Sequence, residues 1–141
     1  MGNSQSIRKI NFEDVQYIIK TPERHIIINT LPISEQDCLL PNTTNILKEE
    51  ELMNQLLQSG KKEVQIIIYG KNCNDNTLYT KYQQLTSLGF YNVYVYPGGL
   101  FEWLVLQDIY GSTDFPTTKK ELDLLKFKPS KILNVPLLEY S

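Results

Sequence analysis

The 141-residue chain contains no alanine, and its only arginines are Arg8 and Arg24. Its 14 lysines and arginines against 16 aspartates and glutamates leave a net charge of −2. That balance lacks the basic footprint a nucleic-acid binder needs, so nucleic acid is not an expected partner. The missing alanine and scarce arginine accompany many Asn, Ile, Lys and Tyr, a bias attributed to an AT-rich genome rather than to function. A single histidine, His25, leaves too few ligands for a zinc site and no Ser-His-Asp triad. No metal and no cofactor is expected. The two cysteines, Cys38 and Cys73, do not make a disulfide framework. With no secretory signal pattern and no apolar run long enough to cross a bilayer, an intracellular, cytoplasmic setting is expected. Internal repeats and low-complexity linkers are also missing, so the length predicts one domain with two short arms.

What is present concentrates between Glu63 and Trp103. Val64 to Tyr69 is a short β-branched run, the pattern of a strand buried on both faces of a parallel sheet. Leu78, Tyr82, Leu85 and Leu88 then fall on one stripe of a helix. Gly89 stands where a left-handed C-terminal cap is needed, with Phe90 closing over that end. Asn92 to Tyr96 predicts a second strand, broken by Pro97-Gly98-Gly99. Two strands joined by a helix form a right-handed crossover, which puts the loop from Gly70 to Asn76 at the carboxyl end of a parallel strand, where such folds bind ligands.

The order of these pieces resembles the second half of a rhodanese-like domain. The matching residues are Tyr69, a cysteine-bearing loop with Cys73, Leu88-Gly89-Phe90, Asn92-Val93-Tyr94, and the Gly98-Gly99-Leu100-Phe101-Glu102-Trp103 turn. The resemblance implies an α/β fold whose central parallel sheet is flanked by helices on both faces. It covers residues 7–127, with residues 1–6 and 128–141 as terminal arms.

Ile7 to Ile10 is predicted as a short edge strand. Asn11 caps a following helix that carries Phe12, Val15, Ile18 and Ile19 inward and stops at Thr21-Pro22. His25 to Leu31 is the next buried strand. The family's Asp-x-Arg pattern there is replaced by Asn29-Thr30-Leu31, which removes a charge pair. Leu39 to Thr43 resembles the family's His-Ile-Pro-Gly-Ala segment without its histidine and glycine, inside a long surface connection from Pro32 to Asn45. A helix from Leu47 to Ser59 follows, its solvated start at Glu49-Glu50-Glu51 and Gly60 as its cap. Beyond Trp103 the helix continues to Gly111, and Thr118 caps a last short helix with Leu122, Leu124 and Leu125. The tail to Ser141 is expected either to pack back on the domain or to bind a partner.

The resemblance implies that a cysteine in the loop after the central strand carries a persulfide, held by inward-facing N–H groups. Cys73 is the candidate carrier, and Gly70, Lys71, Asn72, Asn74, Asp75 and Asn76 complete the candidate anion loop. The family's usual cysteine position, directly after the strand, is Gly70 here. A phosphatase-type loop starting at Cys73 needs an arginine where Tyr79 stands, so phosphatase and arsenate-reductase chemistry is set aside. Asp75 opposes a thiolate nearby, and Lys71 is the loop's one cation. The alternative is that Asn74, Asp75 or Asn76 merely caps the next helix and Cys73 is a bystander. A turn needing positive φ would by itself explain both Gly98 and Gly99, and the resemblance implies a close approach of this turn to the loop. The tyrosines at 69, 79, 82, 91, 94 and 96 are half-buried packing residues or the floor of a cleft.

Two readings follow. The preferred one is a catalytically weak or silent binding or adaptor module that contacts an unidentified protein. The other is a single-domain sulfurtransferase that takes sulfur from a small donor onto Cys73. Met1-Gly2-Asn3-Ser4-Gln5-Ser6 also matches the N-myristoylation pattern, with Gly2 as acceptor. A single myristoyl chain beside Arg8 and Lys9 predicts only weak, reversible membrane contact.

Overall fold

The structure is a computed structural model that describes residues 6–133. Residues 1–5 of the predicted N-terminal arm, Gly2 included, and the tail from residue 134 lie outside the described residues. The elements run α1 (Phe12–Lys20), β1 (His25–Asn29), α2 (Glu49–Gln58), β2 (Gln65–Tyr69), α3 (Thr77–Ser87), β3 (Val93–Tyr96) and α4 (Gly99–Tyr110).

The isoleucine-rich runs pair as a parallel sheet in the order β1-β2-β3, with Ile27 beside Ile67 and Ile67 beside Tyr94. The strand predicted at the centre of the sheet is therefore interior. Alternation along the strands supplies two cores. Ile27, Ile67, Tyr69 and Tyr96 face α1 and α4, packing with Val15, Ile18, Leu100, Trp103 and Leu104. Ile28, Ile66, Ile68, Val93 and Val95 face α2 and α3, packing with Met53, Leu78, Leu85 and Phe90. A buried isoleucine contributes roughly 1.5–3 kcal/mol, so the Ile66-Ile67-Ile68 run holds both layers to one strand.

The caps follow the local sequence. Asn11 and Asp14 form a reciprocal capping box, each side chain accepting from the other's backbone N–H at 3.0 Å. Gly60 and Gly89 take φ of +73° and +107°. At each site the next residue's N–H returns to the helix: Lys61 to the Leu56 carbonyl at 2.9 Å and Phe90 to the Leu85 carbonyl at 3.3 Å.

Several expectations are corrected. The Ile7–Ile10 strand reduces to a single parallel bridge between Lys9 and Val95, because only Arg8 and Ile10 exchange backbone hydrogen bonds with Val95. β1 ends at Asn29 rather than Leu31. The Pro32–Asn45 connection is not merely superficial: Leu40 is fully buried, and its N–H donates to the Tyr69 hydroxyl at 3.1 Å. Leu88 leaves its predicted stripe and is exposed. The last helix is a short 3-10 turn, Leu124–Phe127, and Thr118 does not cap it. The Thr118 hydroxyl instead accepts from Leu39 N–H and donates to the Asp37 carbonyl, tying two connections together. Phe127 closes the core at 2% exposure.

Candidate functional site

The loop between β2 and α3 lies at the carboxyl end of the central strand, as predicted. Its carbonyls turn toward α4: Leu100 N–H donates to Gly70 O at 3.0 Å, and Phe101 N–H to Lys71 O at 2.9 Å. This seam requires Gly99. Its φ is +69°, and a Cβ there would stand 2.8 Å from Gly70 O, 2.9 Å from Asn72 N and 3.0 Å from Lys71 C. Positive φ and close approach therefore both hold for Gly99, whereas Gly98, at φ −59°, is right-handed and needs no positive φ. Gly98 lies against the Glu102 carboxylate, which accepts a short hydrogen bond from the Tyr96 hydroxyl. Burial and then that carboxylate push the Tyr96 phenol well above its ordinary pKa.

Asp75 sits inside the loop. Its Oδ2 accepts from Lys71 N–H at 2.9 Å, and its Oδ1 accepts from Thr77 N–H at 3.0 Å and from the Thr77 hydroxyl. It is thus the residue that caps α3, whereas Asn76 makes no side-chain cap bond. A Cβ on Gly70 would stand 2.6 Å from Asp75 Oδ2 and 2.9 Å from Thr30 Oγ1. The space beyond the strand end, where the resemblance expects a cysteine, is filled by a carboxylate and a threonine hydroxyl.

Cys73 is an exposed free thiol that makes a long hydrogen bond to Asn74 Oδ1 at 3.8 Å. Asn72, by contrast, is buried at 7% exposure. Its Oδ1 accepts from Asn74 N–H at 2.9 Å, and its Nδ2 donates to the Phe127 carbonyl at 3.0 Å. Lys71 is paired with Glu35 at 3.2 Å. A cleft of about 440 Å³ opens beside the loop, lined by Thr30, Lys71, Asn72, Asn74, Asp75 and Thr77 together with Pro32, Ser130 and Ile132. Cys73 is not part of its lining.

Neither His25 nor Arg8 serves the loop. His25 opens β1 at the far end of the sheet, its Nδ1 3.0 Å from the Thr21 carbonyl. Arg8 lies over the Tyr94 ring and donates to its hydroxyl at 3.2 Å. Asn29, at the position of the absent acid, is buried and pairs by amide–amide hydrogen bonds with Gln36 at 2.8 and 3.0 Å. The tyrosines do not form one floor. Tyr69 and Tyr96 are buried on one side of the sheet, Tyr79 and Tyr82 pack on the other, and Tyr91 is exposed. Cys38 is buried and donates to the Lys119 carbonyl, and burial pushes its thiol pKa up. Among the described residues no acid, histidine or cysteine cluster suits a metal ion, and no helix is long and apolar enough to cross a membrane.

Reading the residues in order named the loop but missed Thr30 and Thr77, and it missed the tie from Asn72 to Phe127. The only signal for them was Asp75 standing two residues before Thr77, the spacing of a side chain that caps a helix start.

The family model for the rhodanese-like domain matches residues 12–105. No curated protein matches the chain. Among solved structures, the Alr3790 protein from Anabaena is similar at 21% identity and a TM-score of 0.55, over 83% of this chain and 86% of that one. The BH2092 protein from Bacillus halodurans is similar at 22% identity and a TM-score of 0.59, over 74% of each chain. A single-domain sulfurtransferase from Saccharomyces cerevisiae, RDL2, is similar at 17% identity and a TM-score of 0.55, over 77% of this chain and 98% of that one. At these identities the likeness is one of fold.

Proposed function

From the premise that the chain belongs to the rhodanese-like domain family, we propose that it is a catalytically weak or silent binding module rather than an efficient sulfurtransferase. One observation carries this reading: the Asp75 carboxylate, held by Lys71 N–H and Thr77 N–H, fills the place where a cysteine after β2 would project. A persulfide is an anion and needs those donors. An anion tethered within the same loop competes for them intramolecularly, which favours it over any ligand from solution. Its charge also opposes a second anion a few ångströms away.

The second reading, a persulfide on Cys73, is favoured by the thiol's exposure and by the sulfurtransferase name of the yeast neighbour. In that reaction the Cys73 thiolate would attack the outer sulfur of thiosulfate and release sulfite. Cyanide would then remove the transferred sulfur as thiocyanate and regenerate the thiolate. A thiosulfate–cyanide assay decides between the two. Wild type and Cys73→Ser are both expected at the level of the protein-free blank. Turnover by wild type that the substitution abolishes would establish the sulfurtransferase instead.

The module is further proposed to reach a membrane reversibly through myristoylation at Gly2. The support is the Met-Gly-x-x-x-Ser pattern alone. Co-expression with an N-myristoyltransferase is expected to yield a protein without Met1 and heavier by one myristoyl group in intact-mass measurement. An unmodified mass removes the membrane from the proposal.

A further inference from the structure

The net charge of −2 is unevenly spread along the chain. From Lys119 to Leu133 five lysines stand against Glu121 and Asp123, a local balance of +3 that leaves the rest of the chain at −5. Beyond Asp123 the run Leu124-Leu125-Lys126-Phe127-Lys128-Pro129-Ser130-Lys131-Ile132-Leu133 contains no acid. Its inward side is already engaged. Leu124 and Phe127, three residues apart and so on one face of the 3-10 turn, pack on the core, and the Phe127 carbonyl accepts from Asn72 Nδ2 at 3.0 Å. Leu125 and Lys126 therefore point away from the core. Leu125, Ile132 and Leu133 are 58%, 82% and 78% exposed. Lys126 is paired with Glu121 at 2.7 Å, and Lys119 and Lys120 share a cleft with Asp108. Among the described residues, Lys128 and Lys131 take part in no ion pair. An anchored segment thus presents three aliphatic side chains and two unpaired cations to solvent. An acidic protein partner would need a pocket placed for each aliphatic, whereas a lipid layer beneath anionic headgroups accepts them at any spacing.

We propose that residues 124–133 are a docking surface for an anionic lipid membrane, with Lys128 and Lys131 at the headgroups and Leu125, Ile132 and Leu133 entering the interface. Each lysine close to such a surface gains about fivefold in partitioning, so a net +3 gives about a hundredfold preference over neutral lipid. The surface supplies what a lipid at Gly2 lacks. One myristoyl chain holds a protein only marginally, and a basic patch is a second signal that makes the hold stable. The inference rests on the membrane contact proposed above only in placing the domain at a membrane, since its residues are remote in sequence from Gly2.

Sedimentation of the full-length, unmyristoylated chain with vesicles tests it, so that a failure here and a failure of myristoylation at Gly2 are distinguishable. Wild type is expected to bind phosphatidylcholine vesicles holding about one third phosphatidylserine about a hundredfold more tightly than phosphatidylcholine alone. Raising salt from about 0.05 to 0.5 M should release it. Lys128→Glu with Lys131→Glu should weaken binding by about 25-fold or more, and Ile132→Ser with Leu133→Ser by about tenfold. All four side chains are exposed, so the urea transition of each variant should keep the wild-type midpoint. Lys61→Glu with Lys62→Glu makes the same charge change at exposed positions just past α2 and should stay within about threefold of wild type. Absence of wild-type binding to the anionic vesicles, or equal binding to both kinds, overturns the proposal. An equal effect of the two lysine pairs overturns it as well, because this segment is then not what the membrane reads, and so does full binding by the serine variant. Capture of polyglutamate without capture of anionic vesicles would assign the segment to an acidic protein and overturn the lipid.

Discussion

Gly99→Ala is expected to lower the free energy of unfolding by about 2–5 kcal/mol, read as a shift in a urea transition. Two costs add. An alanine held near φ +69° pays roughly 1–2 kcal/mol for the left-handed conformation. Its methyl would also meet Gly70 O, Asn72 N and Lys71 C at 2.8 to 3.0 Å. All three are backbone atoms, so no rotamer change relieves the contact, and overpacking of that kind costs about 1–3 kcal/mol. Relief requires the loop and α4 to separate, which strains the hydrogen bonds from Leu100 to Gly70 and from Phe101 to Lys71. Gly60→Ala is the control. Gly60 has φ +73°, but a Cβ there meets nothing within 4 Å, so only the conformational cost applies. If Gly99→Ala costs no more than Gly60→Ala, the close approach of turn and loop is absent.

That comparison also marks where the sequence could be read and where it could not. Gly60 and Gly89 were legible because a helix that stops needs a left-handed residue, and the apolar stripe before each glycine says where the stop falls. The central strand was legible because an unbroken β-branched run suits only a position covered on both faces. Trp103, the last residue of the recognised turn motif, is fully buried, and its indole N–H donates to the Pro116 carbonyl at 2.8 Å. Leu88 was misread because periodicity places a side chain on a stripe but does not say how far the opposing layer extends along it. Thr118 was misread because a hydroxyl that can cap a helix can equally join two loops, and the choice depends on Asp37 and Leu39, some eighty residues earlier.

The site itself was half legible for the same reason. A β-α-β pattern fixes the loop's location, since it depends on hydrophobic order alone. The contents of the loop depend on which polar side chain reaches a given N–H, and five neighbouring residues from Asn72 to Asn76 offered four polar candidates. Asp75 prevails because its carboxylate can accept from Lys71 N–H and Thr77 N–H at once. Charge-assisted bonds of that kind are about twice as strong as those of a neutral amide.

The interplay between Gly70 and Asp75 is expected to appear as strong non-additivity in a double-mutant cycle. Gly70→Ala alone should cost about 1–3 kcal/mol, because its Cβ would lie 2.6 Å from Asp75 Oδ2 and force the carboxylate off Lys71 N–H. Asp75→Ala alone should cost about 1–2 kcal/mol through loss of the α3 cap. In the double variant the carboxylate that the new methyl would strike is gone, leaving only Thr30 Oγ1 at 2.9 Å to adjust. The combined cost should therefore fall short of the sum by about 1–2 kcal/mol. Additivity to within about 0.5 kcal/mol would mean that the carboxylate does not occupy the space beyond the strand. The same cycle carries a chemical readout when cysteine replaces alanine at position 70 in a Cys73→Ser background. With Asp75 present, the new thiol meets a carboxylate and alkylates slowly at neutral pH. With Asp75→Ala, the Lys71 and Thr77 N–H donors are released toward it, and the midpoint of its alkylation rate against pH should fall below that of an ordinary thiol near 8.5. A midpoint that does not respond to Asp75→Ala would show that these donors do not serve an anion at the strand end, whatever group carries it.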